Sequence, residues 1–215
     1  MPSSPRPSRI PIFPLPNVVL FPRVFLPLHI FEPRYREMVA HALDGDRVIG
    51  MVLLRDGWQQ HPNPNPPVFP VGCAGRITHV ETLPEGRYNI VLRGVERFRV
   101  VDEDHSRSYR IATIEPFADA AAADPERLHD GRQRLEALLV RQSNQNAHTA
   151  APRIPREMAD AELVNALSQY LELTPIEKQA LLECATPCDR CAALIDLLEM
   201  RLLGGGASGP PCGVQ

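Results

Sequence analysis

The chain is 215 residues long, 44% hydrophobic and 23% charged, with a formal net charge of −3; this is ordinary globular composition with enough bulk for a core. No run approaches the ~18 apolar residues that span a bilayer, and the opening MPSSPRPSRIP lacks the apolar stretch of a secretory signal. Neither the first 115 residues (14 Arg against 12 acids, net +2) nor the rest (9 Lys and Arg against 14 acids, net −5) makes a strong polyanion-binding field.

The segment Ile10 to Val39 reads IPIFPLPNVVLFPRVFLPLHIFEPRYREMV, with prolines at 11, 14, 16, 22, 27 and 33. Proline removes a ladder donor and fixes φ, which argues against one long helix or a central strand. Short extended pieces separated by bends are expected instead. Pro33 suits a first helical position; Tyr35, Met38, Val39 and Ala42 then share a stripe, and Asp44-Gly45 ends it. Val48 to Leu54 reads as a buried strand, and His61 to Pro67 as a loop or flap. Val71 to Leu83 is a strand in which Gly72 and Gly75 suggest a bulge or close backbone approach. After a turn at Pro84 to Arg87, Tyr88 to Arg93 forms a strand with Tyr88, Ile90 and Leu92 on one face. Phe98 to Asp102 and Tyr109 to Phe117 supply two more. The pattern predicts a small, strongly bent sheet or barrel over residues 10–117 with one inserted helix.

The stretch ADAAAAD at 118–124 marks a change to helical periodicity. Leu128, Leu135, Leu138 and Leu139 line one helix, which ends in the polar segment Ser143 to Ala151, and Leu163, Leu167, Tyr170 and Leu171 line a second. Thr174-Pro-Ile-Glu177 is a capping box with proline at the first helical position, and Thr186-Pro-Cys-Asp189 repeats that logic. The last helix carries Cys191, Leu194, Ile195, Leu198 and Leu202. The class is α+β, with a helical subdomain over 125–203 and flexible termini at 1–9 and 204–215. Five scattered cysteines fit a reducing compartment, so the cytoplasm is the expected location.

Several motifs in order resemble the N-terminal substrate-binding domain of the Lon protease family. They are Phe13-Pro-Leu-Pro16, Val19-Leu-Phe-Pro22, Leu26-Pro-Leu-His-Ile-Phe-Glu-Pro-Arg-Tyr35, Gly75-Arg-Ile77, Leu83 to Ile90 and Leu92-Arg-Gly-Val-Glu-Arg-Phe-Arg99. The resemblance covers roughly residues 10–203. It implies a PUA-like β-pseudobarrel followed by a C-terminal helical bundle, and a role in binding polypeptide substrates or protein partners. In the family such a domain stands ahead of an ATPase and a peptidase. No G-x-x-x-x-G-K-[ST] phosphate loop occurs, and the only lysine, Lys178, sits in a capped helix rather than a Ser-Lys dyad. A non-catalytic, stand-alone bacterial member is therefore expected, without cofactor or metal.

Four constellations admit both a functional and a plainer reading. Cys184-x3-Cys188-x2-Cys191 has the spacing of a cluster-binding motif, but Cys191 lies on an apolar stripe, where cysteine acts as a small hydrophobe. His29 and Glu32 could form an acid–base pair. The favoured reading gives His29, Glu32, Arg34 and Tyr35 a structural part, which the resemblance extends to Gly75, Arg93, Gly94 and Arg97. Arg87, Arg93, Arg97 and Arg99, interleaved with Tyr88 and Phe98, offer the alternative of RNA binding through a PUA-like barrel. Trp58, beside the proline-rich loop, reads either as a ligand anchor or as a lid packed on the barrel. Trp58, Phe69, Tyr88 and Phe98 are the candidates for peptide or partner binding.

Overall fold

The computed structural model describes residues 8–60, 65–119, 124–145, 155 and 157–204. Most of the proline-rich loop, the alanine-rich stretch, the end of the polar segment after Gln145 and the tail with Cys212 lie outside them. The elements run β1 (Ser8–Leu15), β2 (Phe25–Ile30), α1 (Pro33–Asp44), β3 (Val48–Leu53), β4 (Val71–Thr82), β5 (Tyr88–Asp104) and β6 (Arg110–Pro116), then α2 (Pro125–Gln145), α3 (Asp160–Tyr170), α4 (Pro175–Glu183) and α5 (Pro187–Gly204). The fold is thus a mixed α and β one with a six-stranded sheet and five helices. Two compact units result. Described residues up to Asp119, with Asn165–Glu183, form one; those from Asp124 to Val164, with Cys184 onward, form the other.

In the first unit the strand order is β2-β5-β4-β3-β1-β6, and β6 also pairs with β5. Five strands therefore close a circuit, with β2 added on the outside of β5. Inside the circuit Ile12, Val52, Leu54, Val68, Ala74, Phe98, Ala112 and Ile114 pack together. The α1 stripe is as the sequence spacing predicts: Tyr35, Met38, Val39 and Ala42 are its buried residues.

Three expectations change. First, β1 lies between β3 and β6 despite Pro11 and Pro14. Ser8 to Ile12 pair with β6, whereas Ile12 to Leu15 pair with β3. Each proline is thus paired on one side only, so its missing N–H need not interrupt a ladder. Second, the two strands expected over 88–93 and 98–102 are one 17-residue strand. It bends by a register shift against β4 at Ala74/Gly75, opposite Gly94 and Glu96. A bulge absorbs the bend without ending the strand. Third, Tyr170 leaves the helical stripe: α3 ends there and the ring is 63% exposed, while Leu173 is buried instead.

The helices from Asn165 to Glu183 are tied to the strands by amide side chains. Gln169 accepts the Phe21 N–H (3.0 Å) and donates to the Phe25 carbonyl (2.8 Å). Asn165 donates to the Pro22 carbonyl (3.1 Å), and Gln179 to the Val71 carbonyl (2.9 Å). The capping box at α4 is reciprocal: Glu177 accepts the Thr174 N–H (2.6 Å) and its own N–H donates to the Thr174 hydroxyl (3.3 Å).

In the second unit α2 buries Leu128, Leu135, Leu138 and Leu139, and α5 buries Cys188, Cys191, Leu194, Ile195 and Leu198. Gly131 of α2 lies directly against Cys191 of α5. A Cβ there would lie 2.6 Å from the Cys191 sulfur. Burial and the neighbouring Cys188 push the Cys191 thiol up to about 11. Its thiolate is therefore scarce at pH 8, and Cys191 should label with maleimide much more slowly than a free thiol, whose ordinary pKa is near ~8.5. Peptide mapping after timed labelling checks this; rapid labelling of native Cys191 would contradict it.

Candidate functional site

The strand β2 is the exposed margin of the first unit. Phe25, Pro27, His29 and Phe31 alternate outward, while Leu26, Leu28 and Ile30 are more buried. Period-two geometry produces that split. Phe25 is 48% and Phe31 60% exposed. Across the ladder Phe25, Pro27 and His29 face Arg93, Val91 and Asn89 of β5, and Val91 in turn faces His79 of β4. A shallow groove of about 340 Å3 runs over this surface, lined by Pro27, Leu28, His29, His79, Asn89, Ile90 and Val91.

Its polar groups are few and ordered. Asn89 donates through its amide nitrogen to Glu81 (2.7 Å), which turns its amide oxygen to His29 Nδ1 (2.8 Å). His29 Nδ1 must then carry a proton, and in the neutral ring Nε2 is left as an acceptor. The Arg93 guanidinium lies 6.0 Å from the Phe25 ring centre.

The backbone edge is partly blocked. The Val24 carbonyl accepts the Gly94 N–H, whereas the Phe25 carbonyl accepts from Gln169 and from the Tyr170 hydroxyl (2.8 Å). Outward-facing backbone groups thus belong to the odd-numbered residues. Pro27 has no N–H to offer there, as is common on edge strands. Among the groups left on that edge are the Pro27 carbonyl and the N–H and carbonyl of His29. Such an arrangement can hold an extended apolar segment by side-chain burial plus a few main-chain hydrogen bonds.

The aromatic residues singled out from the sequence are not gathered in one place. Phe98 is wholly buried in the circuit's core and cannot meet a partner; its position in β5 turns it inward. Trp58 is half-buried and packs on the same core, as a lid would. Phe69 is half-buried, with the Arg55 guanidinium 5.7 Å from its ring centre. Tyr88 is half-buried at the far end of β5, paired with Ile30 and Thr82. Phe25, Pro27 and Phe31 were missed, although the alternation in Phe25-Leu-Pro-Leu-His-Ile-Phe31 carries the signal. Tyr170 had no local signal, because the stripe placed it inside.

His29 and Glu32 do not form a pair. His29 meets Asn89, whereas Glu32 accepts from Arg34 (2.9 Å). Glu32 stands at the N-cap of α1 without a side-chain capping bond. Arg34 lies 4.4 Å from the centre of the buried Tyr35 ring, and burial is the main cause that raises the Tyr35 pKa. Gly75 and Gly94 sit where strands meet loop backbone and side chains closely. Arg97 is 2% exposed and donates to the Leu182 carbonyl and to Asp119 (both 2.6 Å). Its removal inward breaks the arginine face proposed for RNA. Arg93 and Arg99 lie instead against Phe25 and Phe117, and Arg87 donates to the Pro84 carbonyl.

Lys178 donates to the Gln169 carbonyl (2.6 Å), and burial lowers its pKa. Among the described residues no group of three or more His, Cys, Asp or Glu is placed to hold a metal ion. No described helix is long and apolar enough to cross a membrane.

The chain matches the model of the ATP-dependent protease La (LON) substrate-binding domain over residues 9–200. It is 27% identical to a Lon protease of Cytophaga hutchinsonii over 205 residues, 90% of this chain and 24% of that protein. With Lon protease 2 of Sorangium cellulosum it shares 31% over 164 residues, 74% of this chain and 19% of that protein. It therefore spans a quarter or less of the length of these two relatives. Its fold is like that of the N-terminal domain of a Mycobacterium avium complex Lon protease (TM-score 0.65, 17% identity, covering 89% of this chain and 98% of that one). It is also like a Lon N-terminal domain protein from Xanthomonas campestris (TM-score 0.61, 24% identity, covering 88% and 98%). Residues 9–200 are accounted for by this one module, and the chain belongs to the Lon substrate-binding domain family.

Proposed function

We propose that this chain is a non-catalytic polypeptide-binding domain of the cytoplasm that takes extended apolar segments of client proteins along the outer face of β2. The observation that carries the reading is the exposure of Phe25 and Phe31, which flank the Pro27–His29–Val91 groove along the strand, with Tyr170 beside Phe25. Exposed aromatic side chains spaced along an edge strand are anchor points for an extended segment laid against it. A site that uses apolar burial and main-chain bonds tolerates varied client sequences. The closed five-strand circuit is compatible with a PUA-like barrel, and the packed pair α2 and α5 with part of the family's helical bundle. Trp58, Phe69 and Tyr88 would be subsidiary contacts.

The test is a fluorescence-anisotropy titration with a labelled, extended apolar decapeptide. Phe25→Ser combined with Phe31→Ser should weaken binding at least about tenfold, since truncated aromatic anchors at interfaces commonly cost ~2 kcal/mol or more. The double variant should keep the wild-type circular dichroism, because both rings are exposed. Unchanged affinity would sink the reading.

A further inference from the structure

A second cleft, of about 1180 Å3, opens at the end of the strand circuit opposite in character to the β2 groove. Its floor is apolar: Ile10, Val48, Ala74 and Ile114 line it, and all four belong to or pack on the inner cluster of the circuit. Its rim carries Arg9, Arg47, Arg76 and Arg107 against Asp46, Glu96 and Asp104. Asp104 is already committed, to Arg9 and to the Ser106 N–H (2.9 Å). That leaves three arginines facing two acids.

None of those three has a carboxylate partner among the described residues. Arg76 donates only to the Asp46 backbone carbonyl (3.4 Å). Arg107 reaches His41 Nδ1 (3.1 Å) and the Tyr109 hydroxyl (3.4 Å). Arg47 holds a left-handed backbone conformation, φ 60°, which a non-glycine residue seldom adopts. It is kept there by bonds from its N–H to the Ala42 carbonyl (2.9 Å) and from the Ile77 N–H to its own carbonyl (2.8 Å).

We propose that this cleft binds the carboxyl-terminal end of a polypeptide, with an apolar last side chain on the floor and the terminal carboxylate between the rim arginines. Guanidinium groups match a carboxylate by paired N–H bonds, and pockets in barrel mouths join apolar walls to a few placed polar groups. The inference rests on the polypeptide-binding reading and adds to it a preference for chain ends.

The experiment compares a labelled octapeptide ending in Leu-Val as the free acid and as the C-terminal amide, by anisotropy on the full chain. The acid should bind at least about tenfold more tightly. Arg47→Gln with Arg76→Gln should abolish that difference, whereas Glu96→Gln should increase it. Both changes are on exposed side chains, so thermal unfolding should be unaltered. Equal binding of acid and amide, lost in the Phe25→Ser, Phe31→Ser variant, overturns the chain-end site and leaves the β2 reading intact. Decanoate competing as well as the peptide acid makes the cleft a site for free apolar carboxylates and also overturns it. No binding of either peptide removes both readings.

Discussion

Gly94→Ala should destabilise the β-rich unit by about 3 kcal/mol or more. A Cβ at Gly94 would lie 2.0 Å from the Phe21 carbonyl oxygen and 2.8 Å from its carbon. Both are backbone atoms and cannot rotate away. The same residue donates its N–H to the Val24 carbonyl (2.9 Å) and accepts the Arg23 N–H (2.8 Å). Moving the chain to relieve the clash therefore strains two hydrogen bonds, each worth about 1 kcal/mol net. The position is sensitive because β5 passes there from pairing with β2 to pairing with β6. Gly75→Ala is the control. Its Cβ would first meet the end of the Leu20 side chain, at 2.8 Å, which can shift more readily, so a loss of about 1 kcal/mol is expected. Trp58, the only tryptophan, packs on the core of this unit and reports its urea unfolding directly. An unchanged midpoint for Gly94→Ala would refute the close-packing account.

Arg97→Met should cost about 2–3 kcal/mol by the same measurement. Methionine keeps an apolar stem but leaves the Leu182 carbonyl without the guanidinium donor now 2.6 Å away. An unsatisfied buried acceptor costs ~1–3 kcal/mol. The lost pairing with Asp119 adds less, because that carboxylate is 42% exposed and water can take over. Arg97→Lys should rescue little, since a single ammonium lacks the fork needed for both acceptors. Arg99→Ala provides the contrast. Arg99 is exposed and lies on the Phe117 ring at 4.3 Å, a contact worth about 0.5–1 kcal/mol. If all three variants unfolded alike, Arg97 would not be the tie between β5 and α4 described above.

Much of the local structure follows from residues near in sequence. The α1 stripe, the glycines of β4 and the Thr174 capping box each express a short-range rule of helical period, backbone clearance or side-chain capping. Recognition of the family motifs between Phe13 and Arg99 also needed only their order. What stayed hidden had long-range causes. Phe98 and Phe25 look alike as aromatic residues in strands, but only the inward twist of β5 and the outer place of β2 decide that one is core and the other surface. A similar ambiguity hid Tyr170, which continues a helical period on paper while its hydroxyl is drawn to the Phe25 carbonyl, 145 residues away in sequence.

The amino-acid sequence by itself determined the element types, the caps and the family, because those depend on periodicity, turn chemistry and motif order within tens of residues. Only the tertiary structure decided which side chains could serve as a site. Strand pairing seats Pro11 and Pro14 in an interior strand by offering each one partner, draws Arg97 inward, and leaves Phe25 and Phe31 outside. Exposure is a property of what packs on a residue, and for this chain those neighbours come from strands and helices far away in sequence.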